Sequence, residues 1–410
     1  MTAAPGQTTP KGQLVTVQRE TDLSLLYRVL RTVIKPLRPR LVKPGKPEPA
    51  GSPRLANHPK RKNGCKIVER CHERTDTWLY DFVPETSSSF VRKQGPGPLH
   101  NVYYFAGGGF QSPPSGQHWS FVGKIASSLA GTHRFTIVSY PLAPNSPASE
   151  SLPVLRQLLT RLISESATAG KKVVLMGDSA GANVALSLAF WWASHLSKTI
   201  DAYSRKTSFG LGPIETGKPL DLEADMTRLR SVLESVVVIS PASDLRNSNS
   251  QMAALDQHDP LLGSEYTGAV AEAWTAPPPG ELDTGINADD PQVSPALNSG
   301  VAYRAMALQK IHVYGVYGTH DVLAPDTDVL RENCEKHGVR GSWMIWEGQM
   351  HCFPLAGIYG MEEGVKGMGW LIRMLREETK IEHNHIVGDR PLTQIRERPR
   401  LSGRGRQNSA

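Results

Sequence analysis

The chain has 410 residues, 39% of them hydrophobic and 21% charged, which allows one large α/β domain or two average ones and argues against wholesale disorder. The net charge of +7 raises the question of an anionic partner, but residues 1–64 carry 13 Lys+Arg against 3 Asp+Glu, residues 380–410 carry 7 against 3, and residues 65–379 carry 26 against 33, a net of −7. An acidic body with basic ends argues against a basic nucleic-acid-binding core.

Residues 1–12 have no apolar core and no secretory-signal pattern. The most apolar window, residues 173–192, holds Gly177, Asp178, Ser179 and Gly181 and makes a poor transmembrane span. A cytoplasmic, reducing location follows as the expectation. The four cysteines (Cys65, Cys71, Cys334, Cys352) are then free thiols, too sparse for a disulfide scaffold and matching no zinc spacing. Leu26, Val29, Leu30, Val33, Ile34 and Leu37 recur at helical spacing among Arg28, Arg31, Lys35 and Arg38. That stripe predicts a packing or lid helix, with peripheral membrane contact through residues 22–38 as the alternative. Residues 36–64, rich in Pro, Gly, Lys and Arg, read as an extended connector.

Regular structure follows. Residues 77–83 (TWLYDFV), 101–105 (NVYYF), 135–140 (FTIVSY), 172–176 (KVVLM), 236–240 (VVVIS), 311–315 (IHVYG) and 342–346 (SWMIW) read as strands, and 152–164 and 182–192 as helices. Short apolar runs alternating with helices predict an α/β fold: a mostly parallel central sheet with helices on both faces. Residues 193–230 and 275–300 interrupt the rhythm as excursions over the mouth of the sheet. The tail from 380 to 410 is basic and poor in apolar residues, which predicts disorder. The chain therefore divides into a basic N-terminal arm (1–64), a catalytic domain (65–379) with an insertion at about 193–230, and the tail.

Gly177-Asp178-Ser179-Ala180-Gly181 is a G-x-S-x-G string between an apolar strand and a helix of small residues. Such an elbow puts the serine hydroxyl at the apex of a sharp turn, and the flanking glycines relieve the clash. A serine needs a base to take its proton, and the base needs a carboxylate to orient it. The order nucleophile, acid, histidine selects Asp321, beyond strand 311–315, and His351, beyond strand 342–346. Asp326, Asp328, His312, His320 and His337 fit capping or structural roles better, and Asp178 receives no catalytic role. Gly107-Gly108-Gly109 follows strand 101–105 and leaves backbone N–H groups open to an oxyanion. Gly107, Gly108 and Ala180 are the expected donors. Serine hydrolysis of an ester follows. A degenerate hydrolase acting as a binding protein is the non-enzymatic alternative.

With these motifs in this order, the sequence resembles the hormone-sensitive-lipase-like branch of the α/β hydrolases over residues 75–378. Tyr140-Pro141-Leu142-Ala143-Pro144, Ser240-Pro241 and the Gly318 to Leu323 segment match as well. The resemblance implies a carboxylic-ester hydrolase acting on a small apolar ester-like molecule, with no metal or organic cofactor and no nucleic-acid partner. It also implies a helical cap built from residues 14–60 and 193–230 over the active site. The N-terminal arm and the YYFAGGGF string look most like fungal members of the group. Some of those are similar to hydrolases of secondary-metabolite pathways (cytochalasin-type and other mycotoxins), others to steryl-acetate deacetylases. The pattern departs at Ala106, where the family has a His that helps hold the glycine loop. That departure motivates a further alternative, triad-dependent release, cyclisation or condensation of a pathway intermediate.

Overall fold

The computed structural model describes residues 14–38, 43, 46–85, 99–208, 229–278, 280 and 286–388. The strands are β1 (Val15–Glu20), β2 (Arg61–Lys62), β3 (Cys65–His72), β4 (Thr77–Pro84), β5 (His100–Phe105), β6 (His133–Ser139), β7 (Lys172–Asp178), β8 (Leu233–Ile239), β9 (His312–Gly318) and β10 (Gly341–Trp346). They form one sheet in the order β1-β10-β9-β8-β7-β5-β6-β4-β3-β2. From β1 through β6 every pairing is parallel. The β6–β4–β3–β2 edge is antiparallel. The predicted mostly parallel sheet is therefore present, extended by β1 and by the β2–β3 hairpin that composition alone did not mark.

The central strands read as unbroken apolar runs because both faces are covered. In β7, Val173 and Leu175 join one buried cluster while Val174 and Met176 join the other. The helices are α1 (Leu25–Ile34), α2 (Gly116–Ser128), α3 (Ala148–Thr168), α4 (Ser179–Ser208), α5 (Gln251–Asp256), α6 (Ser264–Thr275), α7 (Gly300–Leu308), α8 (Ala324–Lys336) and α9 (Glu362–Gly388). Leu155, Leu159, Val184 and Leu188 of α3 and α4 pack in the first cluster. Phe121 and Ile125 of α2 and Leu371 and Leu375 of α9 pack in the second.

Three boundaries differ from the sequence expectation. Residues 193–208 continue α4 instead of leaving the sheet for the active-site mouth, because the helix keeps burying apolar residues such as Leu196. The rest of the expected insertion, residues 209–228, lies outside the described residues. A helix that follows β8, α6, comes to the nucleophile instead: its Tyr266, Thr267 and Val270 share a pocket with Ser179. Residues 286–298 are tied to the elbow helix, not spread over the mouth, with Asn183 Nδ2 donating to the Val293 carbonyl at 2.7 Å and the Ala296 N–H to the Ser243 carbonyl at 2.9 Å. Finally, α9 runs to Gly388, so the helix takes in the start of the expected tail; residues 389–410 lie outside the described residues.

Candidate active site

The site forms where β5, β7, β9 and β10 end, the edge at which open parallel sheets bind ligands. Ser179 follows β7 directly and has φ +52. A left-handed backbone is costly for a residue with a Cβ and persists where the surroundings impose it. Here the surroundings are two glycines. A Cβ on Gly181 would run into the Phe105 carbonyl, and one on Gly177 would stand 2.5 Å from the Gly181 carbonyl. The strand can thus pass close under the helix and raise Ser179 to the apex. The segment after β8 braces the same turn, with the Ala242 N–H donating to the Ser179 carbonyl at 3.3 Å.

Asp321 and His351 come together as predicted. His351 Nδ1 lies 2.9 Å from Asp321 Oδ2, and both side chains are buried. The other Asp321 oxygen accepts the Leu323 N–H at 2.9 Å. This fixes the tautomer: Nδ1 carries the proton toward Asp321 and Nε2 is left as a base. Burial pushes the imidazole pKa down, but the Asp321 carboxylate outweighs it and holds His351 well above its ordinary value. Cys352 Sγ sits 3.3 Å from His351 Nε2, and its own N–H donates to Ser240 Oγ at 3.0 Å. Burial lifts that thiol to about 11, so it stays protonated beside the base.

The glycine loop corrects one expectation. The Gly107 N–H is already used: it donates to Asp178 Oδ1 at 2.9 Å. It is therefore not a free donor for an oxyanion. Gly109, two residues on, lines the pocket beside Ser179 and Ala180. A Cβ on Gly109 would stand 2.7 Å from the Tyr266 hydroxyl and from Val270 Cγ1, and its φ of +59 adds to the demand for glycine.

Asp178, given no part by the sequence, organises this loop. Besides Gly107 it accepts the Tyr104 hydroxyl at 2.5 Å and faces His118 Nε2 at 3.2 Å. The Ser115 N–H donates to His118 Nδ1 at 3.0 Å, which leaves Nε2–H to donate to the carboxylate. Burial alone would raise the Asp178 pKa, but His118, Tyr104 and the Gly107 N–H together hold it below the usual carboxylate value. Ala106 stands where the family histidine would be, and its carbonyl accepts the Tyr140 hydroxyl at 2.9 Å. The Ala143 N–H donates to the Phe110 carbonyl at 2.9 Å. The Tyr-Pro-Leu-Ala-Pro segment and the His118–Asp178 pair thus hold the loop without a histidine at 106.

A second buried carboxylate borders the acid loop. Asp259 Oδ1 accepts the Leu261 and Leu262 N–H groups at 2.8 and 3.0 Å, and Oδ2 accepts the Val322 N–H at 3.1 Å. Burial and the neighbouring Asp321 charge push its pKa up to about 7. It joins the loop before α6 to the residue after the triad acid. No local sequence signal marks Asp259 or His118, and the elbow motif that contains Asp178 does not show its role, because each acts on a loop from another part of the chain. The rejected candidates stay outside the triad: His320 stacks on His258 at 4.9 Å, and Asp326 accepts from Asn249 at 3.0 Å.

The pocket holds about 340 Å³ of empty space including its open mouth, and its walls include Phe110, Leu245, Leu262, Val270 and Leu323. Trp274 of α6 stacks on Phe110 with ring centroids 4.6 Å apart. The surface it offers is almost wholly apolar, with Ser179 at its edge.

Known proteins share this arrangement of strands and loops. The chain is 23% identical to an esterase from Acinetobacter venetianus over 254 residues, which is 62% of this chain and 67% of that protein. Among solved structures it superposes on carboxyl esterase 2 of the mycorrhizal fungus Tuber melanosporum with a TM-score of 0.58 at 17% identity, covering 86% of this chain and 97% of that one. It also superposes on an esterase/lipase from an uncultured bacterium with a TM-score of 0.53 at 16% identity, covering 90% and 94%. Residues 102–355, from β5 to just past His351, match the family model described as alpha/beta hydrolase fold, and the protein belongs to that family.

Proposed function

We propose that the protein is a serine hydrolase of the hormone-sensitive-lipase-like branch that cleaves the carboxylic ester of a small apolar molecule. The carrying observation is the buried His351–Asp321 pair at 2.9 Å, on the sheet edge where Ser179 stands in a strained left-handed turn. In this reading Ser179 Oγ attacks the ester carbonyl as His351 Nε2 takes its proton. Asp321 stabilises the imidazolium that results. The tetrahedral oxyanion is met by the N–H groups of Ala180, Gly108 and Gly109, with Gly109 in the place first given to Gly107. Two or three aligned donors in a dry pocket supply the largest share of such catalysis. His351 then returns the proton to the leaving alcohol, and water repeats the cycle on the acyl-enzyme. The esterase names of its relatives agree with this chemistry. The narrow apolar wall favours a short acyl group.

Ser179→Ala tests the assignment with a short p-nitrophenyl ester. Turnover should fall at least about 10³-fold, and a fluorophosphonate should label the native chain but not the variant. Unchanged turnover overturns the reading. Hydrolysis in ¹⁸O-water should place one label in the released acid; an acyl product without label would show transfer or cyclisation instead.

A further inference from the structure

Only part of the apolar stripe of α1 faces the protein: Leu30 packs against the second buried cluster and Ile34 is half-buried. Leu25 is 78% exposed, Leu26 63%, Val29 63% and Val33 56%, and Leu37 in the following 3-10 turn is 41% exposed. Residues 25, 29, 33 and 37 step by four and form one ridge along the helix. The opposite side is the anchored one. Tyr27 is fully buried, and its hydroxyl donates to the Gly348 carbonyl at 3.1 Å. The Ser24 N–H donates to Glu363 at 2.6 Å. Beyond the helix, the Arg38 guanidinium donates to the carbonyls of Asp256 and Leu262 at 2.9 Å, and Lys35 Nζ bonds the Gln257 carbonyl. The ridge is thus presented outward by a helix fixed at both ends. Arg28, on the same helix, is exposed, and so are Lys43 and Lys46 further along the chain.

A fixed apolar ridge with an exposed Arg28 on the same helix, on an arm of net +10 attached to a body of net −7, has a definite electrostatic complement. We propose that α1 docks the protein on the surface of an anionic phospholipid bilayer, with Leu25, Leu26, Val29, Val33 and Leu37 entering the headgroup–acyl boundary and Arg28 meeting lipid phosphates. An amphipathic helix with this division of faces lies in the interface plane, and basic residues near an anionic leaflet add attraction that salt screens. Among the described residues no helix is long and apolar enough to cross a membrane, so the contact is peripheral. The acidic body is repelled by the same lipids, which leaves α1 as the face turned toward them. A second copy seated on the ridge would set the two basic arms against each other, and a nucleic acid would offer the ridge no apolar phase. The anchor of the helix reaches the candidate active site, since the Leu262 whose carbonyl Arg38 holds also lines the pocket beside Ser179.

Flotation of the full chain with vesicles tests this, using phosphatidylcholine alone and with about a quarter phosphatidylserine. The native protein should float with the anionic vesicles, at least about tenfold more than with neutral ones, and the difference should vanish at about 1 M salt, where screening is nearly complete. Leu25→Asp/Val29→Asp/Val33→Asp should abolish flotation while keeping the native thermal midpoint. Arg28→Glu alone should weaken it severalfold, a milder change that keeps the test decisive if the triple variant misfolds. No flotation with anionic vesicles, equal flotation with both vesicle types, or full flotation of the triple variant would each overturn the proposal. So would a stable dimer in sedimentation equilibrium without lipid that the triple variant loses, since the ridge would then belong to a second copy.

Discussion

At the scale of single residues, three buried carboxylates have different surroundings, which lower the pKa of Asp178 and raise that of Asp259. Asp321 faces an imidazole, Asp178 accepts three donors, and Asp259 is buried beside another negative charge. The pairing of Asp321 with His351 was legible because it depends on order along the chain and on strand ends. The roles of Gly107 and Asp178 were not, because a carboxylate at the end of β7 reaches across to a loop after β5. Asp178→Ala should therefore lower kcat about 10²-fold, the order seen on losing one oxyanion donor, with little change in KM, and His118→Ala should do so less. Equal falls in kcat and in thermal midpoint with a large rise in KM would argue for a merely structural role. The His351 pKa gives a second expectation. The base works only when deprotonated, and its pKa is raised, so the acid limb of the kcat/KM profile should lie above pH 6.5. A limb below that value would mean that Asp321 does not control the base.

At the scale of elements, an apolar stripe reveals that a helix is amphipathic but not which way it faces. The spacing of Leu26, Val29, Leu30, Val33, Ile34 and Leu37 predicted packing, yet Tyr27 took the buried side and half the stripe was turned out. Similarly β1 was not legible: VTVQRE is short and polar at its end, and the strand that pairs with it, β10, is the last of the sheet in sequence order. The central strands were legible because burial on both faces leaves few polar positions in them. α6 was missed for a different reason. Its residues carry no periodic signal strong enough to separate them from loop, yet they supply Trp274, which is fully buried behind the pocket wall. Trp274→Ala should cost about 3–5 kcal/mol in a denaturant titration. Where the variant stays folded, the cavity behind Phe110 should shift preference toward longer acyl esters, read as the ratio of kcat/KM for butyrate and octanoate p-nitrophenyl esters.

At the scale of the whole molecule, two buried groups pull stability in opposite directions with pH. His133 is held neutral by burial and by His100, with its pKa lowered from 6.5 to about 3. Between those values the unfolded chain binds a proton that the folded one refuses, so stability is lost as pH falls. Asp259 does the reverse. Its pKa is raised from 3.8 to about 7, so the folded chain keeps a proton that the unfolded one releases, and stability is lost as pH rises. From about pH 4 to 6.5 the two slopes nearly cancel. Asp259→Asn should remove one of them, and the unfolding free energy of that variant should then rise with pH, relative to the native chain, by about 1.4 kcal/mol per pH unit. Denaturant midpoints at pH 4.5 and 6.5 measure this, and an unchanged slope would show that Asp259 is ionised throughout.

The edge pairing of β1 with β10, Val15 against Gly341, has a consequence for the order of assembly. A ribosome makes β1 before the other strands of the sheet and β10 after them, so β1 has no partner until nearly all of the sheet exists. Contacts this far apart along a chain form slowly, and an unpaired strand invites the wrong neighbour while it waits. The same late event brings in Gly348, on which Tyr27 anchors α1, and His351 three residues further on. Closing the sheet edge, seating α1 and bringing His351 to Asp321 are therefore one step in time, and a chain cut short before residue 341 should expose the arm and lack His351 together.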